Sequence, residues 1–172
     1  MFENKIIGSV WKFSDNISTD LMMPGFAAMN DPNMPLAEAA RYCMYSNRPE
    51  WSAQVKESDI IISGKNFGCG SSRPAARMLQ ALGIRLVIAE SVSRIFFRNS
   101  INLGLPVIEC RGISEAFEEG ETIEADISTG IIRSLATGRE LYCEPLPDGS
   151  PPMEIIRAGG LISMLKKQKN EL

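Results

Sequence analysis

The sequence contains no histidine, and its cysteines lie far apart, at Cys43, Cys69, Cys110 and Cys143. Without an imidazole, this chain alone cannot build a Ser-His or Cys-His catalytic pair. The usual zinc ligand sets of Cys and His are excluded as well, and no Cys-x-x-Cys pair is present. An iron–sulfur cluster would require three or four of these scattered thiolates to converge, so we expect this chain to bind no metal. An activated nucleophile or base would need an unusual environment, or groups from another protein.

Long apolar runs and blocks of like charge are also absent. No segment approaches the roughly 18–20 apolar residues that span a bilayer, and the first residues lack the pattern of a secretory signal. The net charge of −3 disfavours nucleic acid as the main partner. At 172 residues the chain is long enough to bury a core without help from disulfides. We therefore expect one domain over residues 1–172, located in the cytoplasm, with no nucleic-acid or membrane partner.

Residues 60–83 predict a buried strand, a glycine-rich turn and a helix. Ile60-Ile61-Ile62 is a short apolar run typical of a buried strand. Pro74 suits the first turn of a helix, and Gly83 suits its end. Between them lies one apolar stripe with helical spacing, formed by Ala75, Met78, Leu79 and Leu82. Before them, three glycines permit close approach of the backbone: Gly64, Gly68 and Gly70.

Ser71-Ser72-Arg73 lies where this helix should begin. Free N–H groups and the positive end of the helix dipole favour an anion there. Arg73 can bind a carboxylate or phosphate through two parallel hydrogen bonds, and Ser71 and Ser72 can donate hydrogen bonds or, once deprotonated, act as nucleophile or base. The alternative is a purely structural helix start, since Ser is a common N-cap. Spacing alone leaves both readings open, and it matches neither the phosphate loop nor the dinucleotide-binding fingerprint.

The rest of the chain predicts an α/β fold. Strands are expected at 85–89 and 106–108, with a helix from Arg94 to Leu103 between them, and such short connections imply parallel pairing in a βαβαβ core. Sites in such sheets lie beyond the carboxyl ends of the strands, so the turns at 64–73 and 90–94 should share one edge. Lys5 to Phe13 predicts a further strand, 120–135 a C-terminal β-hairpin or meander, 36–44 a helix, and 153–169 a helix interrupted near Gly159-Gly160.

The order of these residues resembles the swivel domain of the aconitase superfamily and, more closely, the small subunit of 3-isopropylmalate dehydratase. The central motif is Gly70-Ser71-Ser72-Arg73, and the opening Asp15 to Asp20 with Pro24-Gly25 also matches. Further matches follow downstream: Val87 to Ser91, Arg94-Ile95-Phe96, Asn99, Gly104-Leu105-Pro106 and Ala158 to Leu161. The resemblance covers nearly the whole chain and implies the swivelling β/β/α fold of that family.

It also implies a hydro-lyase of leucine biosynthesis that moves a hydroxyl group between adjacent carbons of a hydroxy-dicarboxylate through an unsaturated intermediate. Ser71 would be the alkoxide base, while Ser72 and Arg73 would bind a substrate carboxylate. Behind them, the resemblance places four supporting residues near the active site: Thr19, Asp20, Cys69 and Gly70. The hydroxyl would leave through a [4Fe–4S] cluster, which the family carries on a separate large subunit. An obligate large-subunit partner is therefore expected.

In this family the loop at 24–35 contacts the variable side chain of the substrate. Here the candidate contacts are Phe26, Ala27, Ala28 and Met29. Isopropylmalate enzymes commonly carry Tyr-Leu where this chain has Ala27-Ala28, and Glu where it has Pro74. These departures favour a smaller alkylmalate, citramalate or 2,3-dimethylmalate, as the alternative to isopropylmalate. An alternative of another class is a non-catalytic anion-binding or regulatory domain, against which the intact Gly-Ser-Ser-Arg turn argues.

Overall fold

The computed structural model describes residues 3–26, 34–70 and 75–170. These residues form one seven-stranded sheet with the strand order β4-β3-β2-β1-β5-β6-β7. Strands β1 to β4 are parallel, and β5 to β7 continue the sheet in antiparallel pairing. The bounds are β1 Lys5–Phe13, β2 Ile60–Ser63, β3 Leu86–Ala89, β4 Val107–Glu109, β5 Thr122–Asp126, β6 Ile131–Ser134 and β7 Glu140–Tyr142.

Eight α-helices lie entirely within the described part of the chain. They are α1 Thr19–Met22, α2 Leu36–Ala39, α3 Trp51–Gln54, α4 Ala75–Leu82, α5 Arg94–Leu103, α6 Ile113–Ala116, α7 Pro151–Arg157 and α8 Leu161–Asn170. The predicted helix at 94–103 and the interruption at Gly159-Gly160 are confirmed. The predicted helix at 36–44 is partly wrong, because α2 ends at Ala39 and a 3₁₀ turn follows over Ala40–Tyr42.

The predicted parallel βαβαβ core is confirmed as β2, β3 and β4, with β1 as a fourth parallel strand. The first half of β1 pairs antiparallel with β5, where Ile6 lies opposite Ala125. Its second half pairs parallel with β2, where Val10 lies opposite Ile60. The expected hairpin or meander is confirmed as β5, β6 and β7. Strand β1 therefore joins the two halves into one sheet.

The sheet is buried on both faces in its parallel half, where every residue of β2 and β3 is buried. Parallel strands covered on both faces are continuously apolar, as these are. One face of the sheet packs against the helices, and Ile61, Val87 and Leu79 belong to that core. The other face encloses a second core that the antiparallel strands complete, with Ile62, Ile88, Ile123 and Ile132 among its members.

A disulfide joins Cys110, which follows β4, to Cys143, which follows β7. These are the two edge strands, so the sheet curls until the ends of its two edges meet. The cysteine spacing did not indicate this pairing, because the partners are separated by 33 residues. The thiol of Cys43 is free and fully buried, and burial raises its pKa. None of the helices in the described part of the chain combines the length and hydropathy that a bilayer span requires.

Candidate active site at the carboxyl ends of the parallel strands

Three segments meet at the carboxyl edge of the parallel strands. They are the residues after β1 (14–19), after β2 (64–70) and after β3 (90–93), and isolated β-bridges join Ser18 to Cys69 and Phe67 to Val92. The expectation that the turns after β2 and β3 share one edge is therefore confirmed. The segment after β2 lies between the other two.

On one side, backbone hydrogen bonds hold the glycine-rich turn against the segment after β1. The Gly68 N–H donates to the Ile17 carbonyl over 2.7 Å, and the Thr19 N–H donates to the Cys69 carbonyl over 2.8 Å. At the base of the turn, the Lys65 N–H donates to the Asp15 carboxylate over 2.7 Å. The turn is thus fixed along its length by a segment that also starts helix α1.

On the other side, the turn is held by the segment after β3. The Phe67 N–H donates to the Ser91 carbonyl over 3.0 Å, and the Ser93 N–H donates to the Phe67 carbonyl over 2.8 Å. The Ser93 hydroxyl donates to the Gly68 carbonyl over 2.7 Å and accepts the Phe96 N–H as the N-cap of α5. One serine therefore couples the start of α5 to the glycine-rich turn.

Glycine is required at two positions of this turn. Gly68 has a φ of +75°, and a Cβ on it would lie 2.2 Å from Cγ of the Phe96 ring. Gly70 has a φ of +99°, and the Thr19 hydroxyl lies 3.5 Å from the place of a Cβ there. A side chain at either position would be strained by the backbone conformation, and at Gly68 it would also collide with a buried ring. The predicted close approach of the backbone is confirmed at Gly68, whereas at Gly70 it is the positive φ that requires glycine.

The carboxylate of Glu90 fixes the next part of the edge. It accepts the Gly112 N–H over 2.9 Å, and from Ser114 it accepts the N–H over 3.0 Å and the hydroxyl over 2.7 Å. Burial alone would raise the pKa of the Glu90 carboxyl, but these hydrogen bonds outweigh it and hold the pKa below its ordinary value. Glu90 is therefore an ionised group that ties β3 to the segment after β4.

The structure brings the predicted supporting residues together. Thr19 is buried and lies beside Gly70, while Asp20 is exposed in the first turn of α1. Cys69 is half-buried and carries a free thiol. The residues predicted to act on substrate, Ser71, Ser72 and Arg73, lie outside the described residues, immediately after Gly70 and before α4.

Of the loop residues predicted to contact the substrate's variable side chain, the structure describes only Phe26. Ala27, Ala28 and Met29 lie outside the described residues. Phe26 is 40% exposed, and its ring packs edge-on against Tyr42 and Tyr45, with ring centroids 5.5 Å and 6.2 Å away. This half-exposed aromatic group precedes the remainder of the loop.

Several residues that shape this edge escaped the sequence analysis. Ser18 caps α1 by accepting the Leu21 N–H. The cap of α5 is different, because the sequence offers Ser91 and Ser93 before Arg94, and the structure confirms Ser93 as the cap. The Asn66 side chain donates to the Asn16 side chain over 2.8 Å, across the first two segments. A Ser before a helix is a usable signal for a cap. The Asn16–Asn66 pair has no such signal, because its members are separated by 50 residues.

The described residues do not fit a [4Fe–4S] cluster. Such a cluster is held by cysteine thiolates, but Cys110 and Cys143 form a disulfide and the Cys43 side chain is fully buried in the core. Only Cys69 remains, and no three His, Cys, Asp or Glu side chains within residues 3–26, 34–70 and 75–170 are grouped as metal ligands.

Comparison with known proteins agrees with this architecture. The Aconitase C-terminal domain family matches residues 20–111. 3-Isopropylmalate dehydratase small subunit 1 of Methanopyrus kandleri is 46% identical over 165 residues, which are 95% of this chain and 94% of that protein. The isopropylmalate/citramalate isomerase small subunit of Methanocaldococcus jannaschii is 47% identical over 168 residues, covering 96% of each chain.

The fold comparison gives the same assignment. A crystal structure of 3-isopropylmalate dehydratase from Methanocaldococcus jannaschii matches with a TM-score of 0.87 at 36% sequence identity, covering 96% of both chains. The predicted aconitase-type swivel fold is thereby confirmed. From residue pattern, fold and relatives together, this chain belongs to the aconitase superfamily, in the family of 3-isopropylmalate dehydratase small subunits.

Proposed function

We propose that this chain is the small subunit of a hydro-lyase that isomerises a 2-alkylmalate, namely 3-isopropylmalate dehydratase of leucine biosynthesis. The observation that carries the proposal is the position of Gly70. It ends the glycine-rich turn at the carboxyl edge of the sheet, against Thr19, and residues 71–73 follow it directly. Family membership and this placement together support a catalytic role for the Gly-Ser-Ser-Arg motif.

In this proposal Ser71 is the base that removes the proton from the carbon next to a substrate carboxylate. The carbanion that forms there requires positive charge nearby. The Arg73 guanidinium supplies a full charge in a geometry that matches a carboxylate, and the N-terminal end of the following helix adds N–H groups. Ser72 donates a hydrogen bond to the same carboxylate. The same positive surroundings favour the alkoxide form of Ser71.

We assign the [4Fe–4S] cluster of this family to a partner large subunit, because the described residues of this chain do not fit it. The active site would then be complete only in the complex. A purified chain that dehydrates an alkylmalate by itself would contradict this assignment. The cytoplasmic location remains a prediction from the sequence.

The substrate has one specific alternative. The relative from Methanocaldococcus jannaschii is named for both isopropylmalate and citramalate, and the Ala27-Ala28 pair in this chain favours a small alkylmalate such as citramalate or 2,3-dimethylmalate. Replacing the pair by Ala27→Tyr and Ala28→Leu should shift the ratio of kcat/KM values toward isopropylmalate. An unchanged ratio would remove this loop from substrate selection.

A non-catalytic anion-binding or regulatory domain is the alternative of another class. Its binding would need only residues 70–73 and no partner. The decisive experiment is anaerobic co-expression with the large subunit encoded in the same genome. Isomerisation and dehydration of isopropylmalate, citramalate and dimethylmalate are then followed by the absorbance of the unsaturated intermediate.

Ser71→Ala is the test variant, and Thr129→Ala is the matched control. Thr129 is exposed in the turn after β5, at the opposite end of the sheet, because Asp126 of β5 pairs with Lys5 at the start of β1. Loss of the base should lower kcat by a factor of about 10² to 10⁴ with little change in binding of the large subunit, while the control should retain activity. Full activity in Ser71→Ala would refute the serine base. Failure of the wild-type chain to bind a large subunit would favour the binding domain.

A further inference from the structure

The peptide groups that lead to the proposed base are held from both sides of the glycine-rich turn. The Gly68 carbonyl accepts the Ser93 hydroxyl over 2.7 Å. The next carbonyl, that of Cys69, accepts the Thr19 N–H over 2.8 Å. Because a peptide group is planar, a hydrogen bond to its carbonyl restrains the whole unit. These two bonds therefore restrain the path of the backbone into Gly70, the last residue before the base.

Hydrogen bonds select the conformation of this turn. Gly68 and Gly70 carry no side chain, and both have a positive φ, of +75° and +99°. Glycine adopts positive and negative φ about equally readily, so contacts must select the observed conformation. Among the side chains of the described residues, only that of Ser93 hydrogen-bonds to the backbone of residues 67–70. The other hydrogen bonds to this backbone come from main-chain groups.

Ser93 is anchored independently of its bond to the turn. Its hydroxyl also accepts the Phe96 N–H over 3.3 Å, as the N-cap of α5. Its own N–H donates to the Phe67 carbonyl over 2.8 Å. The N–H of the preceding residue, Val92, donates to the Glu109 carboxylate over 2.8 Å. The hydroxyl is therefore presented to the turn by a segment with fixed hydrogen bonds of its own.

We propose that Ser93 is a positioning residue for the proposed reaction. Its hydroxyl orients the Gly68 peptide group, and through that group it sets the place of Ser71, three residues further on. A base must lie within reach of the proton that it removes, and a displacement of about 1 Å can lower a rate by about a hundredfold. The inference rests on the proposed function, because only that proposal makes Ser71 the base.

A helix cap without any role in the reaction is the alternative for Ser93. The two roles make different demands on the hydroxyl, because the cap needs an acceptor and the bond to Gly68 needs a donor. Threonine supplies both. Glycine has no hydroxyl but is tolerated at an N-cap, whereas alanine is not favoured there. Ser93→Gly therefore removes the donor while largely preserving the start of α5, and Ser93→Ala removes both contributions.

Steady-state kinetics of the complex with the large subunit distinguishes the two roles. Ser93→Gly and Ser93→Ala should both lower kcat by about tenfold to a hundredfold, while Ser93→Thr should keep most of the wild-type kcat. KM should change less than kcat, because the long Arg73 side chain can follow a small shift of the backbone and the short Ser71 side chain cannot. A wild-type kcat in Ser93→Gly would overturn the inference, and so would a kcat in Ser93→Thr as low as that in Ser93→Ala.

Ser128→Ala is the matched control. Ser128 is half-buried like Ser93, and its hydroxyl donates to the Asp126 carboxylate over 2.7 Å. It lies after β5 at the opposite end of the sheet, because Asp126 pairs with Lys5 at the start of β1. This variant also loses a serine hydroxyl and its hydrogen bond, and it should retain the wild-type kcat. Urea unfolding and the Kd for the large subunit check that every variant is folded and bound in the assay.

The outcomes separate this inference from the proposed function. Loss of activity in Ser71→Ala, together with a wild-type kcat in Ser93→Gly and Ser93→Ala, refutes the inference and leaves the function intact. Full activity in Ser71→Ala refutes the serine base, and with it the role of Ser93. Absence of any active complex with the wild-type chain refutes the proposed function on which the inference rests.

Discussion

Replacing Gly68 by alanine should destabilise the chain through two separable effects. Gly68 has a φ of +75°, and a left-handed conformation costs a non-glycine residue about 1–2 kcal/mol. The new Cβ would also stand 2.2 Å from Cγ of Phe96, which is 2% exposed and packs edge-on against the ring of Phe67. Because both rings are buried, overpacking should add about 1–3 kcal/mol.

Gly112→Ala is the matched control for this change. Gly112 has a φ of +84°, but nothing lies within 4 Å of a Cβ built on it. It should therefore show only the backbone effect, of about 1–2 kcal/mol. The difference between the two variants, about 2 kcal/mol, measures the collision with Phe96.

Urea unfolding of the two purified variants and the wild type gives these free energies, provided that the slopes agree. A double-mutant cycle with Phe96→Ala adds a second check, because the combined variant should cost less than the sum of the single changes. Equal stabilities of Gly68→Ala and Gly112→Ala, within about 0.5 kcal/mol, would refute the packing argument. Gly68→Ala should also lower activity in the complex, since the displaced turn carries Gly70 and the Ser71 that follows.

Two further predictions concern stability. Removing the disulfide by Cys110→Ala should lower the free energy of unfolding by about 3–4 kcal/mol, because the bond closes a long loop in the unfolded chain. Reductant should lower the Tm of the wild type in the same way and leave that variant unchanged; a reductant-insensitive wild type would contradict the bond. The pKa of Glu90 in the folded chain lies below its ordinary value of 4.5. The ionised carboxylate therefore stabilises the fold at pH values above 4.5, and this stabilisation is lost as the pH falls through the lower pKa of the folded chain. Unfolding measured between about pH 5 and 3 should therefore show a steeper acid loss in the wild type than in Glu90→Gln, and parallel curves would refute this role of Glu90.

Much of the fold was predictable because its signals are local. The run Ile60-Ile61-Ile62, the apolar stripe that follows Pro74, and the helix stop at Gly83 each specify an element from neighbouring residues, and each was confirmed. Helix α2 is shorter than its propensity predicts. Met44 adopts a φ of +59°, and its N–H donates to the Leu21 carbonyl, so a tertiary contact replaces the helical continuation.

The candidate site was predictable in its location more than in its supporting contacts. Parallel strands place the turns after β2 and β3 on one edge, and the resemblance added Thr19 and Gly70 to them. The bridging role of Ser93 was missed, because its bond to Gly68 joins residues separated by 25 positions. Such a bond exists only after both strands have paired.

The βαβαβ order, the glycine-rich turn ahead of Ser71 and the family could all be recognised from the sequence. All of these depend on residue type and short spacing, which the chain carries before it folds. That β1 joins the parallel and antiparallel halves and that Cys110 meets Cys143 is seen only in the folded chain. These features depend on the curl of the whole sheet, which follows from strand twist and two-sided burial summed over seven strands and not from any one segment.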